Sequence, residues 1–152
     1  MSIHEQWMEF ALKEAERALN IEEVPIGCII VYNNRIIAKS YNSVELLNDP
    51  TAHAEMLAIT SAVEYLNSKA LKGCSMYVTL EPCSMCAGAL VLSKIDNLFF
   101  GAYDPKSGAC GSVLNITNHK QLNHKINVLG GVLDNKCGLL LKAFFEKKRI
   151  KS

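Results

Sequence analysis

The stretches His53-Ala54-Glu55 and Pro82-Cys83-Ser84-Met85-Cys86 decide which fold and which chemistry this sequence indicates. One imidazole and two thiolates are ligands that Zn²⁺ accepts in a tetrahedral site. Three protein ligands leave the fourth position open to water, which distinguishes a catalytic zinc site from a structural one. We therefore predict a zinc site made of His53, Cys83 and Cys86, with the unligated Glu55 as the catalytic proton carrier.

The first stretch is predicted to lie at the start of a helix. Thr51 precedes a run of Ala, Met, Leu and Ile, so we expect Thr51 as the N-cap of a helix that ends near Asn67. His53 and Glu55 then fall in the first turn or just beyond it. Side chains two residues apart point in different directions from the flank of a helix. We therefore expect the metal to lie beyond the end of the helix, where first-turn side chains can converge.

The second stretch is predicted to begin another helix, over residues 83–92. Pro82 suits the first helical position because its fixed φ is helical and its missing N–H is not needed there. Cys83 and Cys86 would lie one turn apart on one face, so both sulfurs can reach one ion. The positive end of the helix would favour the thiolate form of Cys83.

A C-x-x-C motif alone has other interpretations: a redox pair, half of a structural zinc site, or two buried thiols. A structural site would need a fourth ligand from Cys28, Cys74, Cys110 or Cys137, and none of these forms a second C-x-x-C. A redox pair would not need the upstream histidine and glutamate. We therefore favour catalytic zinc and expect the other four cysteines to be small buried hydrophobes.

Length and composition indicate a single globular domain over residues 1–152. The chain is 49% hydrophobic and 20% charged, which is ordinary for such a domain. Its first seven residues are polar and acidic, and no apolar run approaches the length of a membrane span. We therefore expect no membrane insertion and no secretion. A cytoplasmic, reducing location also fits six cysteines without a signal peptide.

The remaining elements predict a layered α/β domain. Two adjacent strands are expected to form a hairpin through a turn at Asn33-Asn34, because asparagine tolerates positive φ. The predicted elements are a helix at 3–20, strands at 27–32, 35–39, 75–79, 97–101 and 125–129, and a closing helix at 135–148. The turn-rich loop at 103–112 follows a strand, so it either lines the site or is a plain surface connection.

Charge is distributed unevenly along the chain. Residues 1–64 hold four basic and ten acidic side chains, whereas residues 65–152 hold twelve basic and five acidic ones. A basic tail at 142–151 surrounds Phe144 and Phe145, a combination able to pair phosphates and stack an unpaired base. The alternative is a solvated helix end whose two phenylalanines belong to the core. Charge alone does not choose between them.

Several blocks of the chain resemble the bacterial tRNA-specific adenosine deaminases of the cytidine-deaminase-like superfamily. The blocks are residues 23–27, Asn42, and residues 49–55, 81–89 and 101–108. The resemblance implies an α/β three-layer cytidine-deaminase-like fold, with a mixed five-stranded sheet between helices. It also implies a homodimer that deaminates adenosine to inosine at the wobble position of the tRNA anticodon stem-loop.

The same resemblance implies roles for individual residues. One Zn²⁺ per subunit would be held by the three predicted ligands, with Glu55 shuttling protons. The base would be held by Asn42 and the backbone of Ala54, and the anticodon loop would contact Asp104, Lys106, Phe145 and Arg149. Two alternatives remain: a deaminase of guanine, cytosine or a free nucleoside, and a noncatalytic subunit. The intact Glu55 counts against the second.

Overall fold

The computed structural model describes residues 1–151, and within them the chain forms five helices and five strands. In chain order these are α1 (Ile3–Asn20), β1 (Gly27–Tyr32), β2 (Arg35–Tyr41), α2 (Val44–Leu47), α3 (Ala54–Leu66), β3 (Cys74–Leu80), α4 (Ser84–Leu92), β4 (Asn97–Ala102), β5 (Asn127–Leu129) and α5 (Asp134–Lys151). None of these described helices has the length and apolar character needed to cross a membrane.

The five strands form one mixed sheet in the order β2-β1-β3-β4-β5. β1 is antiparallel to both of its neighbours, whereas β3, β4 and β5 run parallel. Successive residues of β1 face opposite layers: Ile29 packs with Met8 of α1, and Ile30 packs with Ala58 of α3. With α1 and α5 on one face and α3 and α4 on the other, the predicted three-layer fold is confirmed.

α1 begins and packs as the sequence predicts. Ser2 caps its N-terminus, since the Ser2 hydroxyl accepts from the N–H of Glu5 while the Glu5 carboxylate accepts from the N–H of Ser2. Small residues let α1 approach the sheet closely at Gly27. A Cβ on Gly27 would lie 2.0 Å from the carbonyl oxygen of Ala11 and 2.4 Å from the nitrogen of Ala15.

The hairpin turn is also confirmed, because Asn33 and Asn34 both have positive φ, 50° and 60°. β2 is longer than predicted and runs to Tyr41. At the other end of the sheet, β5 is shorter than predicted and α5 is longer at both ends. The short helix α2 was not predicted, and it ends at Asn48 in the left-handed conformation.

The predicted starts of the two helices that carry the metal ligands are wrong in a way that matters for the site. Thr51 is not an N-cap, because its N–H and its hydroxyl both donate to Asp49 Oδ1 at 2.8 Å in a turn. α3 begins at Ala54 with His53 as its N-cap, two residues later than predicted. Pro82 likewise precedes the second helix, since Cys83 has extended backbone and is the N-cap of α4.

All six cysteines are free thiols, so Cys83 and Cys86 do not form a disulfide. Cys28, Cys74 and Cys137 are fully or almost fully buried in the two core clusters, as predicted for small hydrophobes. Cys110 is only partly buried and packs at the edge of one cluster.

Candidate active site

The N-termini of α3 and α4 bring the three predicted ligands together. His53 Nδ1 lies 3.6 Å from Cys83 Sγ and 3.6 Å from Cys86 Sγ. The ligand atoms of all three residues lie within 4.8 Å of one another. His53 and Cys83 are both N-caps with extended backbone, so their side chains leave the helix ends instead of the helix flanks.

These distances fit one tetrahedral zinc ion. Zn²⁺ bonds of about 2.0–2.1 Å to nitrogen and about 2.3 Å to sulfur, at a tetrahedral angle, separate the two ligand atoms by about 3.5 Å. The observed separations of 3.6 Å are close to that value. Among the residues that the structure describes, the group contains one histidine and two cysteines, so a fourth position remains for water.

The electrostatics of the two thiols favour a thiolate at Cys83. A hydrogen bond from the Cys86 thiol is the main cause that lowers the pKa of Cys83 to about 5. The backbone N–H groups of Cys86 and Met85 lower this pKa further, which confirms the expected effect of the helix N-terminus. The same thiol–thiol hydrogen bond, together with burial, raises the pKa of Cys86 above its ordinary value. Cys83 is therefore the first of the pair to become an anion.

Glu55 lies in the first turn of α3 and is 4% exposed. Burial raises the pKa of its carboxyl to about 7, and the nearby Cys83 sulfur adds to the increase. The backbone N–H of Glu55 itself, His53 and Cys86 act in the opposite direction. A carboxyl group with a pKa near neutrality can both take up and return a proton.

Ala54 is the first residue of α3, so its N–H precedes the hydrogen-bond ladder of the helix. Two contacts fix the chain on either side of this residue. The hydroxyl of Ser40, at the end of β2, donates to the carbonyl oxygen of Ala54. The N–H of Ser43 donates to the carbonyl oxygen of Ala52 at 2.9 Å.

Asn42 is 5% exposed and directly follows β2. Its Nδ2 donates to Glu23 Oε1 at 3.5 Å. Glu23 is 1% exposed and also accepts from the N–H groups of Glu45 at 3.1 Å and Leu46 at 2.7 Å, in the first turn of α2. Sequence reasoning noted Glu23 only as part of a resembling block. The available signal for its anchoring role is a glutamate four residues before an apolar strand, and this signal does not identify the partners of Glu23.

The four residues predicted to contact an anticodon loop all line one cleft of about 790 Å³, between the 103–112 loop and α5. We call it the α5 cleft. Its lining consists of Val24, Leu80, Tyr103, Asp104, Lys106, Ser107, Leu141, Lys142, Phe145, Glu146, Lys148 and Arg149. Among the described residues, this lining includes none of the three metal ligands, so the cleft is distinct from the metal site.

The two adjacent phenylalanines of α5 have different environments. Phe144 is 7% exposed and belongs to the core, whereas Phe145 is 47% exposed and lines the α5 cleft. The core interpretation is therefore confirmed for Phe144 and wrong for Phe145, whose contact with RNA stays a prediction. In the loop opposite, Asp104 Oδ1 accepts from the N–H groups of Lys106 at 3.0 Å and Ser107 at 3.1 Å. The carboxylate of Asp104 thus shapes the loop that carries it.

Comparison with known proteins agrees with this geometry. Residues 1–102 match the model of the cytidine and deoxycytidylate deaminase zinc-binding region. The tRNA-specific adenosine deaminase of Bacillus subtilis (strain 168) is 46% identical over 151 residues, which cover 99% of this chain and 94% of that protein. The enzyme of the same name from Aquifex aeolicus (strain VF5) is 51% identical over 145 residues, 95% of each chain.

A solved structure gives the same result. It comes from biochemical and structural studies of A-to-I editing by tRNA:A34 deaminases at the wobble position of transfer RNA. Its TM-score with this chain is 0.86 at 42% sequence identity, over 90% of this chain and 99% of that one. The chain therefore belongs to the cytidine and deoxycytidylate deaminase zinc-binding family and, within it, to the tRNA-specific adenosine deaminases.

Proposed function

We propose that this chain is a zinc-dependent hydrolase that deaminates adenosine to inosine at the wobble position of a tRNA anticodon. The observation that carries the proposal is that His53, Cys83 and Cys86 come together next to the buried Glu55, which interacts with all three. Relatives of 46% and 51% identity, matched over nearly their full length, favour a tRNA adenosine over a free base. A small-molecule deaminase of guanine, cytosine or cytidine is the less supported candidate.

In the proposed reaction, His53, Cys83 and Cys86 hold one Zn²⁺, which when bound lowers the pKa of a water molecule at the open position. Glu55 would take one proton from the attacking water and deliver it to the ring nitrogen, and would then carry the second proton of that water from the new C6 hydroxyl to the departing amino group. The base gains an oxygen at C6 and loses ammonia, which converts adenine to hypoxanthine. A Glu55 pKa of about 7 supports both halves of this proton transfer.

The proposal assigns the base to Asn42 and to the backbone N–H of Ala54. The buried Glu23 carboxylate supports this assignment because it accepts a hydrogen bond from the amide of Asn42 and so restrains it. The α5 cleft is proposed to take the anticodon loop. Lys106 and Arg149 supply positive charge for phosphates, the exposed ring of Phe145 can stack an unpaired base, and Asp104 shapes the loop beside them.

We further propose that the chain acts as a homodimer in the cytoplasm, where a tRNA substrate would be met. Exposed leucines on α2 and α4 support an interface: Leu92 of α4 is 84% exposed, and Leu46 and Leu47 of α2 are 60% and 54% exposed. Burying such side chains against a second copy would remove apolar surface from water. Sedimentation equilibrium tests this point, and a monomer at micromolar concentration would contradict it.

The test of the activity is incubation of the zinc-loaded protein with an anticodon stem-loop that carries adenosine at the wobble position. Inosine is then scored after nuclease digestion. A stem-loop with adenosine only at other loop positions is the matched control, and free guanine, cytosine and cytidine are run in parallel. Inosine at the wobble position alone supports the proposal. Turnover of a free base without any change in the stem-loop would favour the small-molecule alternative instead.

A further inference from the structure

Glu81 joins β3 to the metal-binding segment, and its side chain is 2% exposed. Its carboxylate is surrounded by donors of the 103–112 loop. Oε1 accepts from the N–H of Asp104 at 3.0 Å and from the hydroxyl of Ser112. Oε2 accepts from the N–H groups of Cys110 and Ser112, both at 3.1 Å. Among the described residues, these hydrogen bonds stabilise the charge without an ion pair to lysine or arginine.

The loop is shaped to fit this carboxylate. A Cβ on Gly108 would lie 2.4 Å from Glu81 Cδ and 2.5 Å from each carboxylate oxygen, so any larger residue here would have to displace the Glu81 carboxylate. The N–H of Ala109 donates to the carbonyl oxygen of Pro82 at 2.9 Å. The loop therefore donates hydrogen bonds both to the side chain of Glu81 and to the backbone immediately before the metal ligand Cys83.

One chain of hydrogen bonds leads from Glu81 to the α5 cleft. The carboxylate of Glu81 holds the N–H of Asp104, and the carboxylate of Asp104 holds the N–H of Lys106. Asp104 and Lys106 both line the cleft. We propose that Glu81 is a positioning residue that sets the Asp104–Lys106 wall of the α5 cleft relative to the zinc ligand Cys83. This inference rests on the proposed function, because it assigns the cleft to the RNA substrate.

The geometry predicts a selective effect of Glu81→Gln. An amide group can replace only one of the two carboxylate oxygens as acceptor. Oε2 faces two backbone N–H groups, and neither can accept a hydrogen bond. Oε1 faces one backbone N–H and the hydroxyl of Ser112, and this hydroxyl can rotate to accept a hydrogen bond from an NH₂ group. The NH₂ group is therefore expected at the Oε1 position, where it loses Asp104 and retains Ser112. The loop therefore loses its hydrogen bond to residue 81 at Asp104 and retains those at Cys110 and Ser112.

The activity measurement compares Glu81→Gln with the wild type on the wobble-adenosine stem-loop. We expect KM to rise about tenfold, since one charge-assisted hydrogen bond is lost, while kcat stays within about twofold. Zinc content should remain at the wild-type level. Glu64→Gln is the matched control, because Glu64 is exposed on α3 and loses the same charge. Equal losses in kcat and zinc content would overturn the proposal by assigning Glu81 to the metal site or to stability.

A second measurement does not depend on activity. Amide hydrogen exchange without substrate should accelerate at residues 104–107 of Glu81→Gln and stay unchanged in α4. Unchanged exchange in the loop would overturn the proposal. If the wild type forms no inosine, the proposed function fails; the exchange result still decides whether Glu81 positions the loop.

Discussion

Three almost completely buried glutamates surround the site, and their surroundings give them different tasks. Burial dominates at Glu55 and raises its pKa to about 7, which suits a proton carrier. Burial also acts to raise the pKa of Glu81, but hydrogen bonds from Ser112, Asp104 and Cys110 outweigh it and the net pKa is lowered. Glu81 therefore stays an anion that holds a loop. Glu23 uses its carboxylate for two backbone N–H groups and an amide.

The proton-carrier role predicts the result of Glu55→Ala. Turnover of the stem-loop should fall by at least about 10²–10⁴-fold, the usual contribution of a general acid–base group. Zinc content should be unchanged because Glu55 is not among the three grouped ligands. Single-turnover kinetics and metal analysis check both points. Glu64→Ala, at an exposed position of the same helix, serves as the control. Substantial turnover by Glu55→Ala would remove Glu55 from the reaction.

The anchoring role of Glu23 predicts a loss of stability with Glu23→Ala. The N–H groups of Glu45 and Leu46 would lose a charged acceptor, so the free energy of unfolding should fall by about 2–3 kcal/mol. The amide of Asn42 would also lose its restraint, which should raise KM. Urea denaturation measures the first effect, with Glu16→Ala at an exposed position of α1 as control. Equal stability of the two variants would show that Glu23 does not anchor α2.

At the scale of elements, the sequence predicted what depends on local patterns. The bounds of α1 match the prediction because the helical periodicity that predicted them is a local pattern, and the cap at Ser2, which was not predicted, is local as well. The start of α3 was misjudged because Asp49 captures both donors of Thr51, which a cap preference cannot reveal. His53 as N-cap explains how it and Glu55 serve one site although they are two residues apart. The contacts of Glu23 and Glu81 span 19 to 31 residues, so no local pattern predicts them.

The contact between α1 and the sheet predicts that Gly27→Ala is destabilising. The added Cβ would meet backbone atoms of Ala11 and Ala15 at 2.0 and 2.4 Å, and backbone cannot rotate away as a side chain can. We expect a loss of about 1–3 kcal/mol in the free energy of unfolding. Gly138→Ala is the matched control, since a Cβ there meets nothing within 4 Å and replaces a helical glycine. In that control, the free energy of unfolding should rise by about 0.5–1 kcal/mol.

Thermal or urea unfolding of both glycine variants decides the point. A Gly27→Ala protein as stable as Gly138→Ala would mean that α1 can move away from β1 without loss of packing.

At the scale of the whole molecule, the acidic and basic halves of the chain contribute different elements to the metal site and to the α5 cleft. The acidic first half supplies α1, the hairpin and α3, including His53 and Glu55. The basic second half supplies α5 and the 103–112 loop, which together line the α5 cleft. The polymeric substrate is thus expected to meet cations at the cleft, whereas the reacting base enters the neighbouring metal site.

This division predicts a salt-dependent affinity for the stem-loop. Lys106, Lys142, Lys148 and Arg149 line the α5 cleft and outnumber its two acids, Asp104 and Glu146. If two or three of these cations contact phosphates, counterion release should weaken binding about tenfold between 50 and 200 mM salt. Fluorescence anisotropy with a labelled stem-loop measures this, and Glu55→Ala prevents turnover during the titration.

The slope of the salt dependence separates specific contacts from general attraction. Lys106→Ala should reduce the slope of log affinity against log salt by about 0.7, the contribution of one phosphate contact on a single strand. Lys69→Ala removes the same charge from an exposed position outside the cleft lining and should leave the slope unchanged. Equal slopes for both variants, or binding that is indifferent to salt, would show that the anticodon loop does not lie in the α5 cleft. The metal site would then have to select its adenosine without the contacts proposed for α5.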